Sequence, residues 1–140
     1  MYRFMIPSAK VRSNPPTANY FDTGAGIEGF DFYKVAESKA LRGIIVYPCQ
    51  GGEMLNVGAM YPSAVDAHPA DNLDDWQNPS SVNAVLETYR DFAPQLLELV
   101  TIAEGVKHWT LANRDPPRTF TKDRLVLVGD AAHPMHPREF

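Results

Sequence analysis

The stretch Arg124 to Pro137 constrains this chain more than any other part of it. Leu125-Val126-Leu127-Val128 is continuously apolar, and Gly129-Asp130-Ala131-Ala132-His133-Pro134-Met135-His136-Pro137 follows at once. An unbroken apolar run of this kind suits a strand buried on both faces, as in a parallel sheet covered by helices. The Gly-Asp step then leaves the strand. Two alanines after it let backbone approach a ligand closely, and the Asp130 carboxylate can accept hydrogen bonds from sugar-type hydroxyls. A bare Gly-Asp dipeptide also reads as a β-turn with a capping aspartate, and the residues by themselves leave both readings open.

The rest of the chain reads as a mixed α+β architecture. Tyr2, Phe4 and Ile6 alternate with Arg3 and Met5, the period of a half-buried strand, and Pro7 ends it. Ser13 to Gly29 is rich in Asn, Pro, Thr and Gly without apolar periodicity and is expected to be a long loop. The apolar runs Leu41 to Tyr47 and Met54 to Met60 flank Gln50-Gly51-Gly52-Glu53, whose glycines supply the positive φ of a tight reversal, so a β-hairpin is expected over 41–60. Residues 61–80 return to loop composition, with Trp76 as one anchor. Ser80-Ser81 offers helix caps, and Val82, Val85, Leu86 and Tyr89 form the stripe of an amphipathic helix. After Pro94 the apolar face continues through Leu96, Leu97, Val100 and Ala103 to Gly105, read as a helix-ending glycine. Lys107 to Ala112 alternates again and is expected to be a strand.

Length and composition narrow the function classes. At 140 residues the chain can bury one sizeable core. A formal net charge of -4 with no basic run argues against nucleic-acid binding. The lone Cys49 permits no intrachain disulfide, nothing approaches a membrane span, and Met1 to Pro7 is too short for a signal peptide, so a soluble cytoplasmic protein is expected.

The longer string Leu125 to Pro134 resembles the second flavin motif of the FAD-dependent aromatic-ring hydroxylases, the group that includes salicylate hydroxylase and para-hydroxybenzoate hydroxylase. Tyr47-Pro48, Gly52-Glu53 and Asn56 are similar to a Tyr-Pro, Gly-Glu, Asn series in that family's substrate domain. Tyr2 to Pro7 resembles the strand after its middle motif, and Trp109-Thr110-Leu111 with Arg114 resembles the stretch before its flavin loop. The resemblance implies a substrate-side domain over 1–112 and a partial FAD-binding segment over 113–140. In fold terms it implies a substrate-domain mixed sheet with helices plus one strand of the FAD-binding domain. It further implies FAD as cofactor, NADH or NADPH as co-substrate and a small aromatic substrate. Gly129, Asp130, Ala131, Ala132, His133, Pro134 and Pro137 would be the flavin-contacting residues, with Asp130 toward the ribityl chain.

Departures from the family pattern set further expectations. No GxGxxG loop between strand and helix is present, since Gly24-Ala25-Gly26 lacks both flanking elements, and the middle Asp-Gly motif is also absent. Beyond Pro137 stand Arg138-Glu139-Phe140, where the family continues into a glycine-rich turn and helix. The chain is therefore expected to be a fragment, with an Asp130 that is solvent-exposed or capped locally, and to be inactive alone. A catalytically silent remnant that at most binds a small molecule or a protein is the alternative. Gly43 stands where some relatives carry a histidine base, so no catalytic residue is assigned. Asp130, His133 and His136 have a suggestive spacing, but Pro134 prevents a regular helix and no metal site is expected. His108 is expected to be an outward polar residue, and Cys49 an ordinary thiol.

Overall fold

A computed structural model of the chain describes residues 1–20, 31–34, 42–62, 78–109 and 117–133. Its centre is a six-stranded antiparallel sheet. The strands are β1 (Tyr2–Pro7), β2 (Asp31–Lys34), β3 (Gly43–Cys49), β4 (Met54–Met60), β5 (Asn78–Pro79) and β6 (Glu104–His108), in the spatial order β2-β3-β4-β1-β6-β5. Among the described residues three helices accompany it: α1 (Ser8–Ser13), α2 (Val82–Thr88) and α3 (Pro94–Thr101). Among the described residues no helix is long and apolar enough to cross a membrane.

The hairpin forms where the glycines allow it. β3 and β4 pair from Gly43↔Met60 to Cys49↔Met54, and the chain reverses through Gln50, Gly51 and Gly52 at φ 52°, 66° and 89°. The following helix also starts as its residues dictate, because the Ser81 side chain accepts a hydrogen bond from the Ala84 amide at 3.1 Å. Ser80 plays a different part from the expected cap. Its amide donates to the Val106 carbonyl at 2.8 Å and prolongs the β5–β6 pairing. Pro94 opens α3 at a first-turn position where its missing N–H costs nothing.

Other expectations are corrected. Helix α1 occupies residues that carry no clear apolar period. Its entry is fixed by Ser8, whose amide donates to the Glu53 carbonyl at 2.8 Å and whose Oγ donates to the Gly52 carbonyl at 2.6 Å. Gly105 does not end a helix: α3 stops at Thr101, and Gly105, at φ 61°, lies inside β6. The β1–β6 register shifts between Arg3 and Met5 beside it, so the glycine absorbs an extra residue in a bulge. The strand begins at Glu104 rather than Lys107, and 110–112 lie outside the described residues.

The largest correction concerns Leu125 to Val128. Instead of a strand buried on both faces, β8 (Leu125–Val126) pairs with β7 (Thr121–Lys122) as an exposed antiparallel ribbon. Leu125, Val126 and Val128 are 61%, 60% and 71% exposed. A parallel strand is buried only when neighbouring strands and covering helices are supplied around it. Among the described residues nothing supplies them.

Because side chains alternate along each strand, the register sorts the sheet into two faces. Tyr2, Phe4, Ile6, Ile44, Val46, Leu55, Val57 and Ala59 point to one side, where they form a single core with Val11, Val85, Tyr89, Leu96, Leu99 and Val100 of the helical layer. Arg3, Met5, Phe32, Ile45, Tyr47, Asn56 and Gly58 belong to the other side. Among the described residues no helix covers this second face, and Phe32 and Tyr47 are each 37% exposed on it.

Candidate functional site

The open face of the sheet carries an ordered polar group at its centre. Arg3 donates from Nε to the Asn56 Oδ1 at 3.3 Å, and its guanidinium carbon lies 5.3 Å from the centroid of the Trp109 ring. Asn56 is itself buried. The guanidinium is therefore held from one edge and one flat side, while its outer nitrogens carry no hydrogen bond among the described residues. Gly58 is the direct cross-strand neighbour of Arg3, followed in the same row by Ile45 and Phe32. On its other side Arg3 pairs with Lys107 of β6, so two cations adjoin the apolar and aromatic residues of this row.

Gly43 has no room for a side chain. A Cβ on Gly43 would stand 2.7 Å from Phe32 Cε2 and 3.1 Å from the Tyr33 carbonyl oxygen. The Phe32 ring thus takes the space that a side chain at 43 would need. Gly43→Ala is expected to cost about 1–3 kcal/mol through overpacking, and adding Phe32→Ala should recover most of it. Chemical denaturation of the single and double variants checks the coupling, and strictly additive losses would show that Phe32 is not the obstacle.

The Gly-Asp loop lies apart from the hydrophobic core. Gly129 to Ala131 form one 3-10 turn, closed by the amides of Ala132 and His133 on the Gly129 carbonyl at 2.9 and 3.0 Å. Gly129 adopts φ 57°, and a Cβ there would meet nothing within 4 Å. Asp130 and His133 are exposed while Ala132 is buried. The Asp130 carboxylate has no hydrogen-bond partner among the described residues, and this exposed acceptor is what the sequence led one to expect. Pro134 and Pro137 lie outside the described residues, as do His136 and the Gly24-Ala25-Gly26 pair. Among the described residues no group of three metal-ligating side chains forms.

His108 departs from its expected outward position. The pairing with Tyr2 turns it toward the helical side, where its Nε2 lies 2.7 Å from the Tyr61 hydroxyl and Tyr61 stacks on Tyr2 at 5.0 Å. Burial, followed by the positive chain terminus, holds its proton affinity below the ordinary imidazole value. Burial likewise pushes Tyr61 up to about 12, with the neighbouring Tyr2 hydroxyl adding to it. Cys49 is half-buried, with its thiol 3.5 Å from the Met54 carbonyl oxygen. The contacts of Arg3 with Asn56 and Trp109 are not visible in the sequence because a cation on the polar half of an alternating strand looks like any solvated residue. Its proximity to Asn56 follows from register, which the strand pattern alone does not set.

No family model matches the chain. Among curated proteins it is 27% identical over 136 residues to the FAD-dependent monooxygenase cfoG of Aspergillus candidus, covering 97% of this chain and 30% of that enzyme. It is 32% identical over 134 residues to the FAD-dependent monooxygenase phomE' of Diaporthe leptostromiformis, covering 95% and 32%. Among solved structures, a salicylate hydroxylase substrate complex superposes with a TM-score of 0.70 at 21% identity over 97% of this chain and 32% of that one. Taken together, these likenesses identify the chain as a homologue of the FAD-dependent monooxygenases and aromatic hydroxylases, spanning about 30% of the length of the curated relatives it matches.

Proposed function

We propose that this chain supplies the substrate-side sheet, residues 1–112, and part of the flavin-contacting segment, residues 113–140, of an FAD-dependent monooxygenase that hydroxylates a small aromatic substrate with NADH or NADPH and oxygen. The observation that carries this reading is the sheet with one face packed on helices and the other open. That open face presents Phe32, Ile45 and Tyr47 beside a fixed arginine. Such a surface can cover a planar ring, exclude water from one side of it and orient it by one polar contact.

The residues of the Gly-Asp turn fit one part of FAD. Asp130 offers a carboxylate to the ribityl hydroxyls, Gly129, Ala131 and Ala132 leave backbone accessible beside it, and His133 follows; Pro134 and Pro137 join them by resemblance. When bound, FAD supplies the oxygen-activating chemistry. The acidic balance of the chain suits a small-molecule substrate rather than nucleic acid, and a cytoplasmic location accords with its thiol content.

The exposed apolar strand at 125–128 favours a second statement about the 140 residues by themselves. FAD draws affinity from pyrophosphate, ribityl and ring contacts, and each 1.4 kcal/mol lost lowers affinity about tenfold. The isolated chain is expected to be colourless, to bind FAD weakly and to oxidise no NADH or NADPH in the presence of aromatic acids. FAD titration with amide NMR spectra tests both statements. Shifts gathered at Gly129 to His133 and lost in Asp130→Ala are expected. Saturable micromolar binding would overturn the silent-chain statement, and shifts elsewhere that ignore Asp130→Ala would overturn the flavin assignment.

A further inference from the structure

A cavity of about 490 Å³ lies on the helical side of the sheet, between the turns that follow α1, the strand β2 and the start of α3. Tyr20, Tyr33, Ala93 and Leu96 form much of its wall, with Pro16 and Thr17 beside them. Tyr33 pairs with Ile44 and so belongs to the core-facing row, while its neighbour Phe32 belongs to the open face. The sheet therefore stands between this cavity and the open face, and one ligand cannot occupy both. Small-molecule sites have volumes of roughly 300–1,000 Å³, which puts this cavity within their range.

The hydroxyl hydrogens of the wall are already committed. Tyr20 donates to the Asp31 carboxylate at 2.8 Å. That uses its single hydrogen, so the 3.4 Å contact between the two phenols requires Tyr33 to donate to the Tyr20 oxygen. Thr17 donates to the Val11 carbonyl at 2.8 Å. Burial raises the proton affinity of both phenols, which keeps this relay intact at neutral pH. What the wall hydroxyls retain is acceptor capacity. Thr17 is 2% exposed whereas Tyr33 is half-buried, so the Tyr33 oxygen is the acceptor within reach of a ligand. The carboxylate at the far end of the relay polarises it and strengthens that acceptor.

Charge narrows the ligand further. None of the described residues that line the cavity is charged, and its remaining members, Asn19 and Gln95, are amides exposed to water. An ionised ligand would lose hydration there without meeting a counter-charge in the wall. The two phenol rings, with Leu96 and Ala93, suit a compact apolar body instead. We propose that this cavity is a second small-molecule site, which takes a neutral single-ring ligand bearing a hydroxyl or N–H donor and receives that donor on the Tyr33 oxygen. The site does not depend on the reading of the open face as the substrate side.

Titration of the unaltered chain with 4-methylphenol and with toluene, the same body without the hydroxyl, tests the proposal by amide NMR before any variant is made. 4-Methylphenol is expected to shift the amides of Thr17, Tyr20, Tyr33 and Leu96, with toluene on the order of tenfold weaker. Tyr33→Phe should bring 4-methylphenol down to the toluene level and leave toluene unchanged. Ala93→Leu, which narrows the cavity away from the phenols, should weaken both ligands. Equal affinity for the two ligands in the unaltered chain overturns donor recognition and with it the proposal. So does an unchanged affinity for 4-methylphenol in a folded Tyr33→Phe chain. Shifts at none of the four amides show that the cavity is no site. Shifts confined to Arg3, Asn56 and Trp109 do the same while leaving the open-face reading intact.

Discussion

Phe4→Ala is expected to remove about 3–5 kcal/mol of stability, whereas Phe32→Ala on the same sheet should remove less than about 1 kcal/mol. Phe4 is 3% exposed at the centre of β1, the strand that pairs with β4 on one side and β6 on the other. Its ring points to the helical layer, in the row of Val57 and Val46. Truncation loses the transfer energy of the ring and leaves a cavity walled by two strands that cannot collapse without breaking their pairing. Against the ~5–15 kcal/mol stability of a domain this size, such a loss threatens the fold. Phe32 is 37% exposed on the open face, so its removal leaves little void. Urea denaturation followed by circular dichroism measures both. Equal losses would mean that the second face is packed, which would remove the ground for reading it as a ligand surface.

What could be read from the sequence follows from the range of the forces involved. Local signals were sufficient for the β3–β4 hairpin, because Gly51 and Gly52 encode the reversal and apolar runs flank it. They were sufficient also for α2 and α3, where Ser81 and Pro94 mark the starts. Helix α1 was missed because its start depends on Ser8 bonding to the Gly52 and Glu53 carbonyls, a contact more than forty residues away in sequence. Gly105 was misread for a similar reason. A positive-φ glycine serves a helix end and a strand bulge equally well, and only the pairing of β6 with β1 decides between them.

The candidate site divides along the same line. The turn at Gly129 and Asp130 was legible as local structure, since a Gly-Asp step after an apolar run is a contiguous pattern. Leu125 to Val128 carries the composition of a buried parallel strand, but burial is a property of neighbours and not of the strand itself. The open face could not be read at all from periodicity. Arg3, Asn56 and Trp109 come from three strands or their ends, and they meet only because β1 lies between β4 and β6. The aromatic cluster of Tyr2, Tyr61 and His108 on the opposite side is assembled in the same way, which is why His108 turned inward against expectation.

That clustering of phenols makes the fold sensitive to alkali. Tyr20, Tyr61 and Tyr89 all have their proton affinity raised above the ordinary phenol value of 10.0, in each case first by burial. Tyr20 is raised further by its hydrogen bonds with Tyr33 and Asp31, and Tyr89 by the nearby Tyr61 and Tyr2. A group whose affinity is higher in the folded chain than in the unfolded one contributes its stability fully below the unfolded value. That contribution is lost as pH rises through the folded value. The window therefore opens near the unfolded value of 10.0 and, for Tyr61, closes at about 12. Cooperative loss of circular dichroism is expected in that interval, together with the rise in tyrosinate absorbance. Tyr89 dominates the prediction because its side chain is fully buried and its hydroxyl has no hydrogen-bond partner among the described residues. Tyr89→Phe removes an unsatisfied polar atom whose burial costs about 1–3 kcal/mol, while its ring keeps the edge-on contact with Phe92 at 5.0 Å. The variant should be at least as stable as the parent at neutral pH and should unfold at higher pH. Tyrosine ionisation complete before any loss of structure, or a marked destabilisation by Tyr89→Phe, would show that the hydroxyl is satisfied and that the buried phenols do not hold the fold against alkali.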